Sequence, residues 1–146
     1  MTMQVSEKLA CTVANNEAGL YDVVYFYGAR EKLAGRVDTV VAKIGETQPE
    51  MKIFRTQAAP LVDRWISNIQ KGYGKFMPDC DLFILEEVQK MAGKESMEQE
   101  LYFIFDRFLE SHRRLIITGN VPTAQMLPLA ERIRAQIDGG VAFCLE

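Results

Sequence analysis

A short apolar run followed by two acids is the feature that most constrains how this chain can fold. Residues 82–85 read Leu-Phe-Ile-Leu, and Glu86 and Glu87 follow directly. Four consecutive apolar residues predict a strand that is buried on both faces, as in a parallel sheet. Ligands of open α/β sheets bind at the carboxyl ends of the strands, so the two acids are candidates to hold Mg²⁺ beside a nucleotide. The alternative is that two acids simply leave a buried strand for solvent.

The flanking sequence alternates between strand and helix patterns. Strands are predicted at residues 23–27, 51–55, 82–85, 115–118 and 142–145. Helices are predicted at residues 5–14, 37–44, 60–69, 96–109 and 127–137, with a short loop over 29–35. This order indicates one α/β domain spanning residues 1–146, with a parallel sheet and right-handed crossovers.

Local signals place the ends of several helices. Gly45 is expected to close the helix that carries the stripe at 37–44. Ser96 and Gln99 have the spacing of a capping box, which predicts a helix that begins there. Arg113 and Arg114 are expected at the far end of that helix, where cations suit the helix dipole.

Composition narrows the class of protein and its location. The 146 residues are 48% hydrophobic and 25% charged, as in a folded globular protein, and no apolar run reaches the length of a membrane span. The three cysteines are odd in number and far apart, and the start lacks a secretory signal, so we expect a reducing cytoplasm. The net charge of −3 gives no electrostatic reason to bind nucleic acid.

The acid-tipped strand and the sequence after it resemble the bacterial replication initiator family DnaA. The specific part is Glu86 to Glu95, which reads Glu-Glu-Val-Gln-Lys-Met-Ala-Gly-Lys-Glu. Further similar stretches are residues 12–16, 26–28, 116–122 and 129–134. The resemblance implies the base of an AAA+ ATPase domain, a three-layer α/β fold with five parallel strands and no lid. It also implies ATP or ADP with Mg²⁺ as the possible cofactor, and Asn120 as a sensor near the γ-phosphate.

The region that matches the family's phosphate loop departs from the working pattern. Such a loop needs Gly-x-x-x-x-Gly-Lys-Ser/Thr, because backbone amides, a lysine and a hydroxyl bind the phosphates and Mg²⁺. Counted from Gly28, the final Gly-Lys-Ser/Thr falls on residues 33–35, or on 35–37 if the loop is two residues longer. Neither register supplies the hydroxyl. We predict a loop that is folded shut, with Leu33 in the cavity.

Two further departures concern catalysis and domain content. Gln136 occupies the position that matches the family's arginine finger, and a neutral side chain cannot neutralise transition-state charge, although Arg132 and Arg134 are close in sequence. The family's helical lid, DNA-reading helix-turn-helix and N-terminal interaction domain have no counterpart in these 146 residues. We therefore expect no sequence-specific DNA binding by this chain.

Two functional hypotheses follow. The first is a nucleotide-independent interaction module that regulates replication initiation or helicase loading and is no longer an ATPase, so that no cofactor is expected. Its candidate partners are a replication initiator, a replicative helicase or a second copy, and no membrane. The second is a weak nucleotide switch or ATPase with Mg²⁺ on Glu86. Its candidate nucleotide-binding residues are Gly28, Arg30, Lys32, Gly35, Arg36, Glu86, Glu87 and Asn120. The chain can also be a domain cut from a longer gene product.

Overall fold

The computed structural model describes residues 2–4, 22–71 and 77–145. Within them the strands are β1 (Thr2–Gln4), β2 (Val23–Gly28), β3 (Ile53–Gln57), β4 (Leu82–Glu86), β5 (Arg114–Gly119) and β6 (Val141–Leu145). The helices are α1 (Arg30–Thr47), α2 (Ala58–Gln70), α3 (Glu95–Glu110) and α4 (Glu131–Asp138). Short 3₁₀ helices at Val88–Met91 and Thr123–Gln125 complete the described elements. The helix predicted over 5–14 lies outside the described residues.

The described strands form a single parallel sheet. Its order is β1-β6-β2-β5-β4-β3, so β2 lies between β6 and β5, and β4 lies between β5 and β3. All five predicted strands are confirmed as members of this parallel sheet. The short strand β1, which pairs with β6, was not predicted. Because every described strand runs the same way, the carboxyl ends of β2, β4 and β5 share one edge.

Helices cover both faces of the sheet, as the predicted three-layer architecture requires. Alternate residues of β2 face opposite sides because the side chains of a strand alternate. Val24 and Phe26 share one core with the apolar stripe of α1, which consists of Leu33, Val37, Val40 and Ile44. Tyr25 and Tyr27 share the other core with residues of α2, α3 and α4, among them Leu61, Trp65, Phe105 and Ile133. Trp65, only 2% exposed, packs as a core residue.

Several predicted boundaries were wrong. Gly45 lies inside α1, which continues to Thr47. Strand β3 begins two residues later than predicted, because Lys52 pairs outside the ladder with Asp81: the Lys52 N–H donates to the Asp81 carboxylate and the Lys52 carbonyl accepts from the Asp81 N–H. Helix α4 begins only at Glu131, and Leu127, predicted to be helical, is 70% exposed.

The predicted caps of α3 were also wrong. Helix α3 begins at Glu95 rather than at Ser96, and its N-cap, Lys94, makes no side-chain capping bond. At the far end, Arg114 opens β5 and is 8% exposed, so it belongs to the sheet instead of the solvated end of the helix. Arg113 lies over the Phe108 ring, 4.0 Å from its centroid. None of the described helices is both long and apolar enough to cross a membrane.

Candidate functional site

The carboxyl edge of the sheet is where the sequence predicts a nucleotide, and β2 reaches it at Gly28. Gly28 has a φ of 144°, which favours glycine. A Cβ atom there would lie 2.0 Å from the Leu145 carbonyl oxygen on the neighbouring strand β6. The close approach at Gly28 therefore serves strand packing between β2 and β6.

One residue, Ala29, connects β2 to α1. The helix begins at Arg30, and the Ala29 carbonyl accepts hydrogen bonds from the N–H groups of Lys32 and Leu33 at 3.0 and 3.1 Å. The loop predicted over 29–35 is thus wrong in both of its proposed registers. A glycine-rich loop wraps phosphate with several inward-pointing amides, and a one-residue connection does not provide that geometry.

The early start of α1 has a reason in the sequence. Leu33 extends the stripe of Val37, Val40 and Ile44 by one turn and is 5% exposed. The predicted shut loop with Leu33 in its cavity is therefore not found, because Leu33 is buried as a core residue of a helix. Gly35 is exposed in the second turn, with nothing within 4 Å of a Cβ built on it. Lys32 is exposed and Arg36 is half-buried on the same helix.

Glu86, the last residue of β4, is bound by a cation on the neighbouring strand. The guanidinium of Arg55 donates from Nε to Oε1 at 2.7 Å and from Nη2 to Oε2 at 3.2 Å. The same guanidinium donates to Asp38 of α1 at 2.5 Å. The hydrogen bond with Glu86 raises the pKa of Arg55 above its usual value. The acid predicted to hold Mg²⁺ is therefore paired within the chain.

Glu87 has different partners from Glu86, because its backbone turns away from the line of β4. It has a φ of 62°, in the left-handed region that non-glycine residues rarely adopt, and its N–H donates to the Thr118 hydroxyl at 3.1 Å. Its carboxylate lies 3.2 Å from Arg30 Nε and 3.2 Å from Lys90 Nζ. The two acids thus enter different ion-pair networks.

Sequence reasoning missed part of this arrangement. Arg55 is a charged residue inside a strand, which was a usable signal that an acid lies beside it. Arg30 was predicted as a cation for phosphate, and it contacts Glu87 instead. Asn120 is exposed and follows β5 at the same edge, so its sensor role stays a prediction. Within the described part of the chain, no group of three or more His, Cys, Asp or Glu side chains is placed to hold a metal ion.

The position matching the arginine finger lies on α4 and is engaged within the chain. Gln136 Nε2 donates to the Tyr102 carbonyl of α3 at 3.2 Å. The two nearby arginines are also in intramolecular contacts. The Arg132 guanidinium lies 4.6 Å from the centroid of the Tyr102 ring, and Arg134 Nε donates to the Leu129 carbonyl at 3.1 Å.

A third buried acid, Glu98 of α3, was not predicted to matter. It is 6% exposed, and its two carboxylate oxygens accept from the Gly93 N–H at 2.9 Å and the Ala130 N–H at 2.7 Å. The side chain therefore joins the turn before α3 to the residue before α4. This contact fixes α4, and with it Gln136, against the rest of the domain.

Comparison with known proteins identifies the family. A family model described as the bacterial DnaA ATPase domain matches residues 2–144. The chain belongs to this family. The chromosomal replication initiator protein DnaA of Geotalea daltonii is 25% identical over 145 residues, which cover 94% of this chain and 32% of that protein. The DnaA of Corynebacterium jeikeium is 24% identical over 141 residues, which cover 90% of this chain and 24% of that protein. The chain thus spans a third or less of the length of these DnaA proteins.

Solved structures share the fold with this DnaA-family chain. Domain III of the Thermotoga maritima replication initiation protein DnaA superposes with a TM-score of 0.85 at 14% identity, covering 94% of this chain and 60% of that one. A replication initiator DnaA bound to AMPPCP and single-stranded DNA gives 0.81 at 17% identity, covering 94% and 44%. The DnaC helicase loader gives 0.73 at 12% identity, covering 94% and 87%. At these identities the likeness concerns the fold.

Proposed function

We propose that this chain is a DnaA-like domain that acts as a nucleotide-independent interaction module in replication initiation or helicase loading. Membership of the DnaA family and the fold shared with DnaA and the DnaC helicase loader support this setting. The proposed place of action is the cytoplasm, and the proposed partners are proteins: a replication initiator, a replicative helicase or a second copy of the chain. Membrane attachment and sequence-specific DNA binding form no part of the proposal.

The observation that carries the proposal is the one-residue connection between β2 and α1. Tight triphosphate binding needs a loop of amides that surrounds the β-phosphate, together with a lysine and a hydroxyl beside Mg²⁺. Here Ala29 alone separates Gly28 from the first turn of α1, and Leu33 fills the core beneath that turn. A helix that begins at Arg30 supports the proposal that this chain does not bind a triphosphate tightly.

The pairing of the acids supports the same conclusion. A carboxylate that coordinates Mg²⁺ must exchange its current partners for the metal. Glu86 would give up a bidentate guanidinium contact at 2.7 and 3.2 Å, in a place where its side chain is 11% exposed. Charge-assisted bidentate pairs of this kind are about twice as strong as neutral hydrogen bonds. The neutral Gln136 adds a second reason to expect no ATP turnover, because nothing at that position neutralises transition-state charge.

The competing function is a weak nucleotide switch. Exposed cations near the carboxyl edge favour it, since Arg30 has a side chain that is 75% exposed and Lys90 one that is 44% exposed. In that case Arg30, Lys32 and Arg36 would contact phosphate, and Glu86 would hold Mg²⁺. The two functions differ in whether nucleotide binds at all.

A titration with a fluorescent ATP analogue, with and without Mg²⁺, separates the two functions. We expect no saturable binding up to about 1 mM nucleotide, a concentration that detects binding free energies of about −4 kcal/mol. Glu86→Gln is the test variant, and Glu110→Gln, which alters an exposed acid at the end of α3, is the matched control. Saturable micromolar binding that Glu86→Gln abolishes and Glu110→Gln preserves would establish the switch and refute the module.

The interaction half of the proposal needs its own measurement. Sedimentation velocity of the chain alone, with purified DnaA, and with the replicative helicase of the same organism would report which complex forms. We expect one of these mixtures to sediment as a complex with no nucleotide present. If every complex required ATP, the nucleotide-independent part would be wrong, and if none formed, the interaction module itself would be wrong.

A further inference from the structure

The guanidinium of Arg55 binds two carboxylates that come from different elements of the fold. Arg55 of β3 pairs in register with Ile84 of β4, whose side chain belongs to the core beneath α1. Glu86 lies two residues beyond Ile84, so its side chain is on the same face of the sheet. Asp38 reaches the guanidinium from α1, which covers that face. Two strands and a helix therefore meet at one cation.

Three nitrogen atoms of this guanidinium are used in the contacts. Nε and Nη2 of Arg55 donate to the two oxygens of Glu86, and Nη1 donates to Asp38. The side chain of Glu86 is 11% exposed and that of Asp38 is 67% exposed, so only the Asp38 end is open to solvent. Glu87, the second acid after β4, pairs with other cations. One positive charge thus lies between the carboxylates of Glu86 and Asp38.

A divalent metal at this edge would need the same carboxylate oxygens. Mg²⁺ is usually bound in proteins by one or two carboxylates, and it keeps several water ligands. Glu86 and Asp38 would supply two carboxylates, but the guanidinium of Arg55 already lies within hydrogen-bonding distance of both. A guanidinium has no lone pair to offer a metal, and its charge repels a second cation nearby. With Arg55 in this position, the residues present do not fit Mg²⁺.

Arginine is well suited to remain in this position. Its side chain stays charged in proteins, and the hydrogen bond with Glu86 raises the pKa of Arg55 further. Its planar fork binds both oxygens of one carboxylate at once, whereas a lysine is a mobile point charge. Because the Glu86 side chain is buried, salt screens this pair less than it screens an exposed one. The cation at this edge is therefore a fixed part of the fold.

We propose that Arg55 is a built-in counter-cation, which takes the place of a divalent metal between Glu86 and Asp38 and makes this edge independent of Mg²⁺. Removing the charge of Arg55 therefore uncovers a divalent-cation site at the two carboxylates. This inference rests on the proposed nucleotide-independent function, but the two fail separately. Nucleotide binding is measured on the wild-type chain, whereas the counter-cation is tested by metal binding to variants at Arg55 without nucleotide.

Titration of the full chain with Mn²⁺, followed by electron paramagnetic resonance of the unbound ion, tests the proposal. We expect Arg55→Met to bind one Mn²⁺ with a Kd of about 1 mM, at least about tenfold tighter than the wild type. Arg55→Lys keeps the charge, so it should bind Mn²⁺ no better than the wild type. Arg107→Met is the matched control for a lost charge, because Arg107 is exposed on α3, which packs on the opposite face of the sheet.

A second neutral variant covers the case in which Arg55→Met does not fold. Arg55→Gln keeps N–H donors for Glu86 without the charge, and circular dichroism reports whether each variant is folded. Adding Glu86→Gln to either neutral variant should abolish the gained Mn²⁺ binding. The proposal would be overturned if the wild type bound Mn²⁺ as tightly as the neutral variants, or if folded neutral variants gained no binding. An equal gain in Arg55→Lys or Arg107→Met would also overturn it, because the charge of Arg55 would then not be the cause.

Discussion

Replacing Arg55 with methionine tests whether the cation on β3 is what holds Glu86 in place. Methionine keeps the length and flexibility of the side chain and removes its charge and all its donors. Glu86, 8% exposed, would lose both hydrogen bonds from the guanidinium, at 2.7 and 3.2 Å. Asp38 would lose one contact, but its side chain is 67% exposed, so water replaces that partner.

The magnitude follows from these burials. Removing one partner of a buried ion pair costs about 3–5 kcal/mol, and the 30% exposure of Arg55 places this pair at the lower end. The exposed contact with Asp38 adds about 0–1 kcal/mol. We therefore expect Arg55→Met to lower the free energy of unfolding by about 3 kcal/mol. In a chain of this size that corresponds to a decrease in Tm of about 6–12 °C.

The assay is urea unfolding at neutral pH, followed by circular dichroism, on a double-mutant cycle. The double variant Arg55→Met/Glu86→Met removes both charges, so it should recover most of the loss, because no buried carboxylate is left unpaired. Asp38→Asn is the control for the exposed arm of the network. If Arg55→Met lowers the free energy of unfolding no more than Asp38→Asn does, the contact between Arg55 and Glu86 behaves as a surface ion pair. The claim that Arg55 holds Glu86 in place would then be wrong.

Four further predictions concern the helix start, the buried acid and a buried thiol. Gly35→Ala should raise the free energy of unfolding by about 0.5–1 kcal/mol, because Gly35 is exposed inside a helix with room for a Cβ. Denaturant unfolding measures this change. Glu98→Ala should destabilise the chain by about 2 kcal/mol and speed amide exchange at Ala130, since two part-buried N–H groups lose a charged acceptor. Burial raises the pKa of the Cys80 thiol to about 11, so at pH 8 alkylation, followed by peptide mass spectrometry, should be far slower in the folded chain than in urea. The Cys80 thiol has a higher pKa in the folded chain than in the unfolded chain, so between pH 9 and pH 11 the unfolded chain loses the proton and the folded chain keeps it. The free energy of unfolding should therefore fall as pH rises from 9 to 11.

Each of these predictions has an outcome that would contradict it. Destabilisation by Gly35→Ala would mean that residues 30–36 are not helical. Unchanged exchange at Ala130 in Glu98→Ala would separate that acid from the start of α4. Equal alkylation rates of Cys80 in the folded and unfolded chains would show an accessible thiolate. The half-buried Cys144 serves as the control thiol within the same sample.

Short-range patterns in the sequence were enough to predict the sheet. The run at 82–85 is apolar at every position because both faces of β4 are covered, and that covering requires helices on each side. The Glu86 to Glu95 stretch was specific enough to indicate the DnaA family, to which the chain belongs.

The candidate site depended on contacts between residues that are distant in sequence. Whether Glu86 faces metal or protein is decided by Arg55, which lies 31 positions away and reaches it only when β3 pairs with β4. Likewise Glu98, and not the predicted capping box of Ser96 and Gln99, accepts the hydrogen bond from the Gly93 N–H in the turn before α3. Glu98 also accepts from the Ala130 N–H, because the fold places the start of α4 beside it. The segment after Gly28 was predicted as a loop because residues 30–36 contain a glycine and several charged residues. It is helical because Leu33 is buried against the sheet, a contact that only the fold creates.

The sequence by itself therefore determined the alternation of strands and helices, the parallel sheet and the family, since these follow from periodicity and from a local motif. Only the tertiary structure decided which charges meet at the carboxyl edge and where α1 begins. The physical reason is that ion pairing and helix boundaries are settled by competition among neighbours that the fold brings together. That competition joins Arg55 to Glu86 and Arg30 to Glu87 at the edge where the family motif predicts nucleotide.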